Sequence, residues 1–310
     1  VINYGVLVIF AYNLCAGLLR AIGNSFMPLV FLLLSSGLNI LLDLLFIARM
    51  GMGVQGAAVA TVISQGVSVL LCIAYVFAKV KLLLPEKKHF RVGRHLYWEL
   101  FSQSICMGLM SSIVSAGSVV LQYGINGLGT LVIAGHTAAR KMFMFTDMPL
   151  LSMASAGSTF VSQNCGAGQP GRVRKGMKEI YLYSVVMTVA AVLLMRVAAP
   201  WMVAFVSGSS EPIVLENGAR YLLWNAPFYA VLGILLSTRY ALQSLGNKVL
   251  PLFSSVIELV GKVVFVVLFI PKFGYDAVIL CEPIIWCVMA AYLVAVYRHD
   301  PFVFPKQEKR

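Results

Sequence analysis

Four acidic side chains, Asp43, Asp147, Glu258 and Glu282, stand inside otherwise apolar stretches of this sequence. An ionisable group in a membrane-spanning segment is costly to keep there, so each is a candidate for chemistry by default. Asp43 lies in Leu38-Asn39-Ile40-Leu41-Leu42-Asp43-Leu44, with no cation within one helical turn. Asn39 precedes it by four residues, so on a helix the amide and the carboxylate share a face. Such a carboxylate can exchange a proton, or with neutral oxygen ligands such as Asn39 it can hold Na⁺. A merely solvated carboxylate at the outer end of a span is the bland alternative. Glu258 and Lys262 have the spacing of an intrahelical ion pair, with a coupling role as the second reading. Asp147 precedes Pro149, which frees a carbonyl one turn earlier and bends a helix. A bend beside a carboxylate suits a moving or ion-binding helix, although Arg140 and Lys141 are placed to neutralise it. Glu282-Pro283 reads the same way.

Other residues suit contact with cargo. Met142, Met144, Met148 and Met153, with Phe143 and Phe145, give the fifth apolar stretch an adaptable face. Met144, Phe145 and Met148 are the cavity candidates, joined by Gln163; contact with lipid or core packing is the alternative. His136 is read as packed or bonded to backbone rather than as a proton relay. The run Gln163-Asn164-Cys165-Gly166-Ala167-Gly168-Gln169 is not a phosphate loop, since it lacks GxxxxGK[ST] and is preceded by no strand. HExxH and GxSxG are missing from the sequence, so an enzyme has no support and transport would draw on an ion gradient. The six cysteines show neither CxxC nor metal spacing. The only metal the residues suggest is Na⁺ at Asp43, and no cofactor is expected.

The elements that must position these groups are long apolar helices. The chain is 60% hydrophobic and 12% charged, with a mean hydropathy of +0.87. Apolar runs long enough to cross a bilayer recur throughout, which predicts a polytopic all-α membrane protein. Nine spans are expected, at about residues 2–22, 27–48, 54–78, 96–123, 130–163, 178–205, 213–244, 249–270 and 276–297. The net charge of +12 does not point to nucleic acid, because the basic residues sit in short connections between spans. Lys79, Lys81, Lys87, Lys88, Arg91 and Arg94 crowd the connection 79–95, which reads as the link between two lobes. Arg172, Arg174, Lys175 and Lys178 crowd another, and Arg298, Lys306, Lys309 and Arg310 fill the tail 298–310. These ends, the C-terminus among them, are expected on the cytoplasmic side.

The chain also repeats itself. Leu19-Arg20-Ala21-Ile22-Gly23-Asn24-Ser25-Phe26-Met27-Pro28-Leu29 returns as Leu242-Gln243-Ser244-Leu245-Gly246-Asn247-Lys248-Val249-Leu250-Pro251-Leu252, at an offset of 223 residues. Leu45-Phe46-Ile47 pairs with Leu268-Phe269-Ile270, and Gly51 with Gly274. Two parallel copies predict two six-helix lobes. In that reading 1–78 is the remainder of the first lobe, 96–297 is the whole second lobe, and three upstream spans are missing.

Several of these stretches resemble the multidrug and toxic compound extrusion (MATE) family. The likeness lies in Leu19-Arg20-Ala21-Ile22-Gly23-Asn24 with Pro28, in Asn39-Ile40-Leu41-Leu42-Asp43, and in Gly53-Val54-Gln55-Gly56-Ala57-Ala58-Val59-Ala60-Thr61. It continues in Ile133-Ala134-Gly135-His136, in Gln163-Asn164-Cys165-Gly166-Ala167-Gly168, and in Glu258 before Pro271. The resemblance implies twelve helices in two lobes, of which this chain supplies helices four to twelve. It also implies a monomeric inner-membrane antiporter that expels cationic or amphipathic compounds in exchange for H⁺ or Na⁺. Asp43 matches an acidic position of the first lobe that part of the family uses. The family's first-helix aspartate would lie upstream of Val1. The seventh-helix glutamate of some members has no counterpart in Met110-Ser111-Ser112-Ile113, which favours coupling in the first lobe. The rival readings are a flippase of lipid-linked precursors from the same superfamily and a truncated remnant that does not transport.

Overall fold

A computed structural model of the chain describes residues 2–84, 86 and 93–305. Lys87, Lys88 and Arg91 of the basic connection, and Lys306, Lys309 and Arg310 of the tail, lie outside the described residues. Every regular element among the described residues is helical. The chain divides into two compact units, residues 1–94 and 95–310.

The first unit holds α1 (Ile2–Ala21), α2 (Phe26–Asp43) and α3 (Gly53–Lys79). Gly56, Ala60, Ser64, Ser68 and Cys72 are the buried residues of α3, spaced by four. This seam of small side chains lets neighbouring backbones approach, which is how helices pack where no hydrophobic drive acts between them. Two hydrogen bonds along the seam tie α3 to α2. Ser35 Oγ donates to the Ser64 carbonyl at 2.8 Å, and Ser68 Oγ donates to the Phe31 carbonyl at 3.1 Å.

The second unit holds α4 (Arg94–Asn126), α5 (Thr130–Gly166), α6 (Pro170–Ser207), α7 (Pro212–Asn225), α8 (Tyr229–Ser244), α9 (Val249–Val264), α10 (Ile270–Phe273) and α11 (Tyr275–Arg298). Helix α5 packs against α6, α7 and α8, and α11 packs against α7, α8 and α9. The nine expected spans fall on these helices, but among the described residues only seven are long and apolar enough to cross a membrane by composition. Helix α1 has a described apolar stretch, Gly5–Ala21, that falls just short. Helix α5 fails for the opposite reason. It carries His136, Arg140, Lys141 and Asp147, and it can do so because protein covers most of one face, where Ala139, Ala154 and Val161 are fully buried. The seventh span is not one helix: Ala226–Phe228 forms a 3₁₀ turn between α7 and α8, at Pro227, which cannot donate to the α-helical ladder.

The repeat is visible in the backbone. Ile22 to Ser25 join α1 to α2, and Leu245 to Lys248 join α8 to α9. Each connection is a Schellman turn, which satisfies the last carbonyls of the preceding helix. Asn24 N–H bonds the Leu19 carbonyl at 3.0 Å, inside which Gly23 N–H bonds Arg20 at 2.9 Å. In the second copy Asn247 N–H bonds Leu242 at 3.0 Å and Gly246 N–H bonds Gln243 at 3.0 Å. The glycines have φ of 87° and 86°, a region closed to most side chains. Both partner helices then run on as π-helix, α2 through Leu44–Arg49 and α9 through Phe265–Phe269. The glycine-rich run after Gln163 is a third turn of this type: Gln169 N–H bonds Asn164 and Gly168 N–H bonds Cys165 at the end of α5.

Candidate functional site

Two polar sites emerge, one in each unit. In the first, Asn39 and Asp43 lie on one face of α2, just before the π-helical stretch. Asn39 Nδ2 and Asp43 Oδ1 are both shielded from solvent, and neither has a hydrogen-bond partner. An orphaned buried donor or acceptor costs about 1–3 kcal/mol. Gln65 Oε1 on α3 is a third atom in this condition. A cation or a proton at Asp43 Oδ1 would satisfy a carboxylate oxygen that the fold leaves bare. At the 223-residue offset the same register of α9 reads Glu258, Lys262 and Val266 where α2 has Ser35, Asn39 and Asp43. There the charges cancel: Lys262 Nζ donates to Glu258 Oε1 at 2.8 Å, with the lysine side chain 4% exposed. The pair that the i, i+4 spacing suggested has formed, so Glu258 is neutralised while Asp43 is not. Arg239 of α8 adds a guanidinium whose Nε and Nη2 are buried without partners.

The site in the second unit is built from α5, α7 and α11. Arg140 Nη1 donates to Glu282 Oε1 at 2.9 Å and to Oε2 at 2.7 Å. Tyr221 closes a triangle by donating to Glu282 Oε2 at 2.6 Å and accepting from Arg140 Nη1 at 3.1 Å. His136, one turn before Arg140, places Nδ1 3.2 Å from Tyr275 Oη and packs edge-on against the Tyr221 ring. Asn225 Nδ2 fixes α7 to α11 through the Ile279 carbonyl at 3.3 Å. A cavity of about 160 Å³ opens beside the triangle, lined by Ser118 and Gln122 of α4 with His136, Arg140 and Glu282. The Arg140 guanidinium lies 5.0 Å over the Phe143 ring, which stacks on Trp286. The arrangement is a neutral, interlocked cluster open on one side to a small polar space.

The other candidate residues fall in varied surroundings. Arg140 does not neutralise Asp147; it is committed to Glu282, and among the described residues no cation lies within 4 Å of the Asp147 carboxylate. His136 is buried and packed between Tyr221 and Tyr275, as the packing reading has it, and its hydrogen-bond partner is a tyrosine hydroxyl rather than backbone. The Met and Phe residues of α5 do not form one face. Phe143 is buried and Met142 and Met153 pack against the core, whereas Met144, Phe145 and Met148 are 57%, 66% and 56% exposed on the surface of the unit. Gln163 is exposed at the last turn of α5. Helix α5 runs unbroken through Pro149. Sequence reasoning missed Tyr221, Tyr275 and Arg239. One signal for the second site was available: His136 and Arg140 stand four apart on the least apolar span.

A family model described as MatE matches residues 107–268, which is 162 of the 310 residues. The chain belongs to the MatE family. Within that family it is similar to the probable multidrug resistance protein YpnP of Bacillus subtilis (strain 168), at 29% identity over 234 residues, covering 74% of this chain and 51% of YpnP. It is also similar to the multidrug export protein MepA of Staphylococcus aureus (strain MSSA476), at 24% identity over 292 residues, covering 91% of this chain and 62% of MepA. The chain therefore spans about half the length of YpnP and less than two thirds of MepA. Among solved structures, that of MATE in complex with MaL6 shares the fold with a TM-score of 0.85 at 22% identity, covering 95% of this chain and 67% of that one. This MatE chain is accordingly an all-helical, multi-pass membrane protein of two-lobed architecture.

Proposed function

We propose that this MatE chain works as part of a secondary transporter in the cell membrane, exporting cationic or amphipathic small molecules in exchange for H⁺ or Na⁺. Access alternates between the two sides as the lobes rock, and the ion gradient is the sole source of energy. The membership of the family, with relatives described as multidrug export proteins, supports export as the activity. One observation supports placing the coupling ion in the first unit. Asp43 Oδ1 is a buried, unpaired carboxylate oxygen one helical turn after Asn39, whereas Glu258 and Glu282 are already bound to Lys262 and Arg140. A carboxylate without a resident cation is free to take one up and release it; one with a resident cation is not. Asp147 is the second choice, since among the described residues it too has no ion pair.

The test is Asp43→Asn in the full-length protein, with efflux of a fluorescent organic cation followed in cells or proteoliposomes under an imposed ΔpH or Na⁺ gradient. The amide keeps the shape and removes the titratable, cation-binding oxygen pair. Gradient-driven efflux should fall to background while expression stays normal. Unchanged efflux would remove Asp43 from the mechanism, and efflux lost instead in Asp147→Asn would move the coupling site to the second unit. Which gradient supports efflux by the unaltered protein decides between H⁺ and Na⁺.

A further inference from the structure

A second feature lies where α6 begins and α11 ends. A cavity of about 620 Å³ is lined there by Arg174, Lys175 and Lys178 of α6 and by Tyr297, Arg298 and Phe304. Four cations from two helices surround one space. None of them has a carboxylate within 4 Å among the described residues. Asp300 follows Arg298 by two residues, and both its oxygens are spent. Oδ1 accepts from the backbone of Phe302 at 3.1 Å and Val303 at 3.2 Å, and Oδ2 accepts from Asn247 Nδ2 at 3.0 Å. Asp300 thus pins the chain after α11 so that Phe304 faces the cavity, with the Arg174 guanidinium 5.8 Å over its ring. Tyr297 packs edge-on against Phe304, and its hydroxyl is buried with no partner.

We propose that this cavity binds the phosphate headgroup of an anionic phospholipid. Four unpaired cations and an orphaned hydroxyl donor together call for an anion with several acceptor oxygens. A phospholipid fits better than a free phosphate because the surface of α6 continues the site in apolar form. Beyond Lys178 the helix turns apolar, and Leu182, Val185, Val186 and Val189 are all solvent-exposed in the isolated chain. From Lys178 to Val189 a helix rises about 16 Å, which is close to half of a hydrocarbon core. Head and tail of one lipid therefore both find a surface, the charge at the helix end and the acyl chain along the same helix. Basic clusters at the end of a span attract anionic lipids for the same reason.

The experiment compares lipid retention by the full-length protein and its variants, using native mass spectrometry after exchange into mixed micelles of phosphatidylglycerol and phosphatidylcholine. All three α6 positions are exposed, so the variants at them should fold. The unaltered protein should retain phosphatidylglycerol in preference to phosphatidylcholine. Arg174→Gln, Lys175→Gln and Lys178→Gln combined should lower that retention about tenfold. Tyr297→Phe should lower it about threefold through the loss of one hydrogen bond. The control is Lys79→Gln, Lys81→Gln and Arg94→Gln combined, which removes the same charge elsewhere and should change little. Equal loss in the control, or no loss in the α6 triple variant, overturns the proposal. Stabilisation of the unaltered protein against heat by inorganic phosphate as large as that by phosphatidylglycerol would reassign the cavity to a free anion and also overturn it.

Discussion

At the scale of single residues, the two sites differ in whether their charge is already answered. Glu282 is held by three hydrogen bonds from Arg140 and Tyr221, and its side chain is 7% exposed. Glu282→Ala leaves the Arg140 charge without its counter-charge and should destabilise the protein by about 3–5 kcal/mol. Tyr221→Phe removes one donor from a charged acceptor and should cost about 1.5–3 kcal/mol. Replacing Arg140 and Glu282 together by methionine should recover most of the stability lost in Glu282→Ala. Thermal unfolding in detergent checks all three, and a double variant no better than Glu282→Ala would mean that the cluster does more than balance charge. The carboxylates themselves were legible in the sequence, because acids inside apolar runs stand out. Their partners were not. Arg140 is seven residues from Asp147 and 142 from Glu282, and nearness in sequence favoured the wrong acid. The Glu258–Lys262 pair was legible for the same reason inverted, since its partner is one turn away.

At the scale of elements, the polar triangle depends on how closely α5 and α7 cross. Gly135 and Gly218 meet there. A Cβ on Gly135 would lie 2.6 Å from the Val214 carbonyl oxygen, and one on Gly218 would lie 2.9 Å from the Gly135 carbonyl oxygen. Backbone cannot swing aside as a side chain can, so Gly135→Ala must push the helices apart. We expect a loss of about 1–3 kcal/mol from overpacking, read in the same thermal assay. Gly246→Ala tests a different physics. Nothing lies within 4 Å of the added carbon, so its cost of about 1–2 kcal/mol comes only from the left-handed backbone. A Gly246→Asn variant should lose less than Gly246→Ala, whereas Gly135→Asn should lose more than Gly135→Ala. Helix positions were legible from apolar run length, and the turns from the repeated Gly-Asn. The break at Ala226–Phe228 was written in Pro227 but masked by the continuous apolarity on either side. The scatter of Met and Phe around α5 was legible in the spacing, because six such residues within twelve positions cannot all share one helical face.

At the scale of the whole molecule, duplication and composition revealed the architecture, and composition alone misjudged its centre. Hydropathy ranks α5 too low to span, yet α5 packs more extensively than any other helix of its unit. Polarity was tolerated there because protein, not lipid, covers the face that carries His136 and Arg140. Charge distribution makes a prediction of its own about sidedness. In a variant lacking the six cysteines, Ser209→Cys between α6 and α7 should react with a membrane-impermeant maleimide in intact cells. Lys178→Cys should react only after the membrane is opened, and the reverse pattern would invert the topology. The twin Schellman turns have a consequence for how the chain is made. All their backbone hydrogen bonds span five residues or fewer. They can therefore close as soon as the second helix emerges from the ribosome, before any distant partner exists. α1 with α2, and α8 with α9, would enter the bilayer as finished hairpins whose turn leaves few carbonyls bare to the lipid. Damage to either turn would then register first as fewer molecules inserted, and only afterwards as weaker ones.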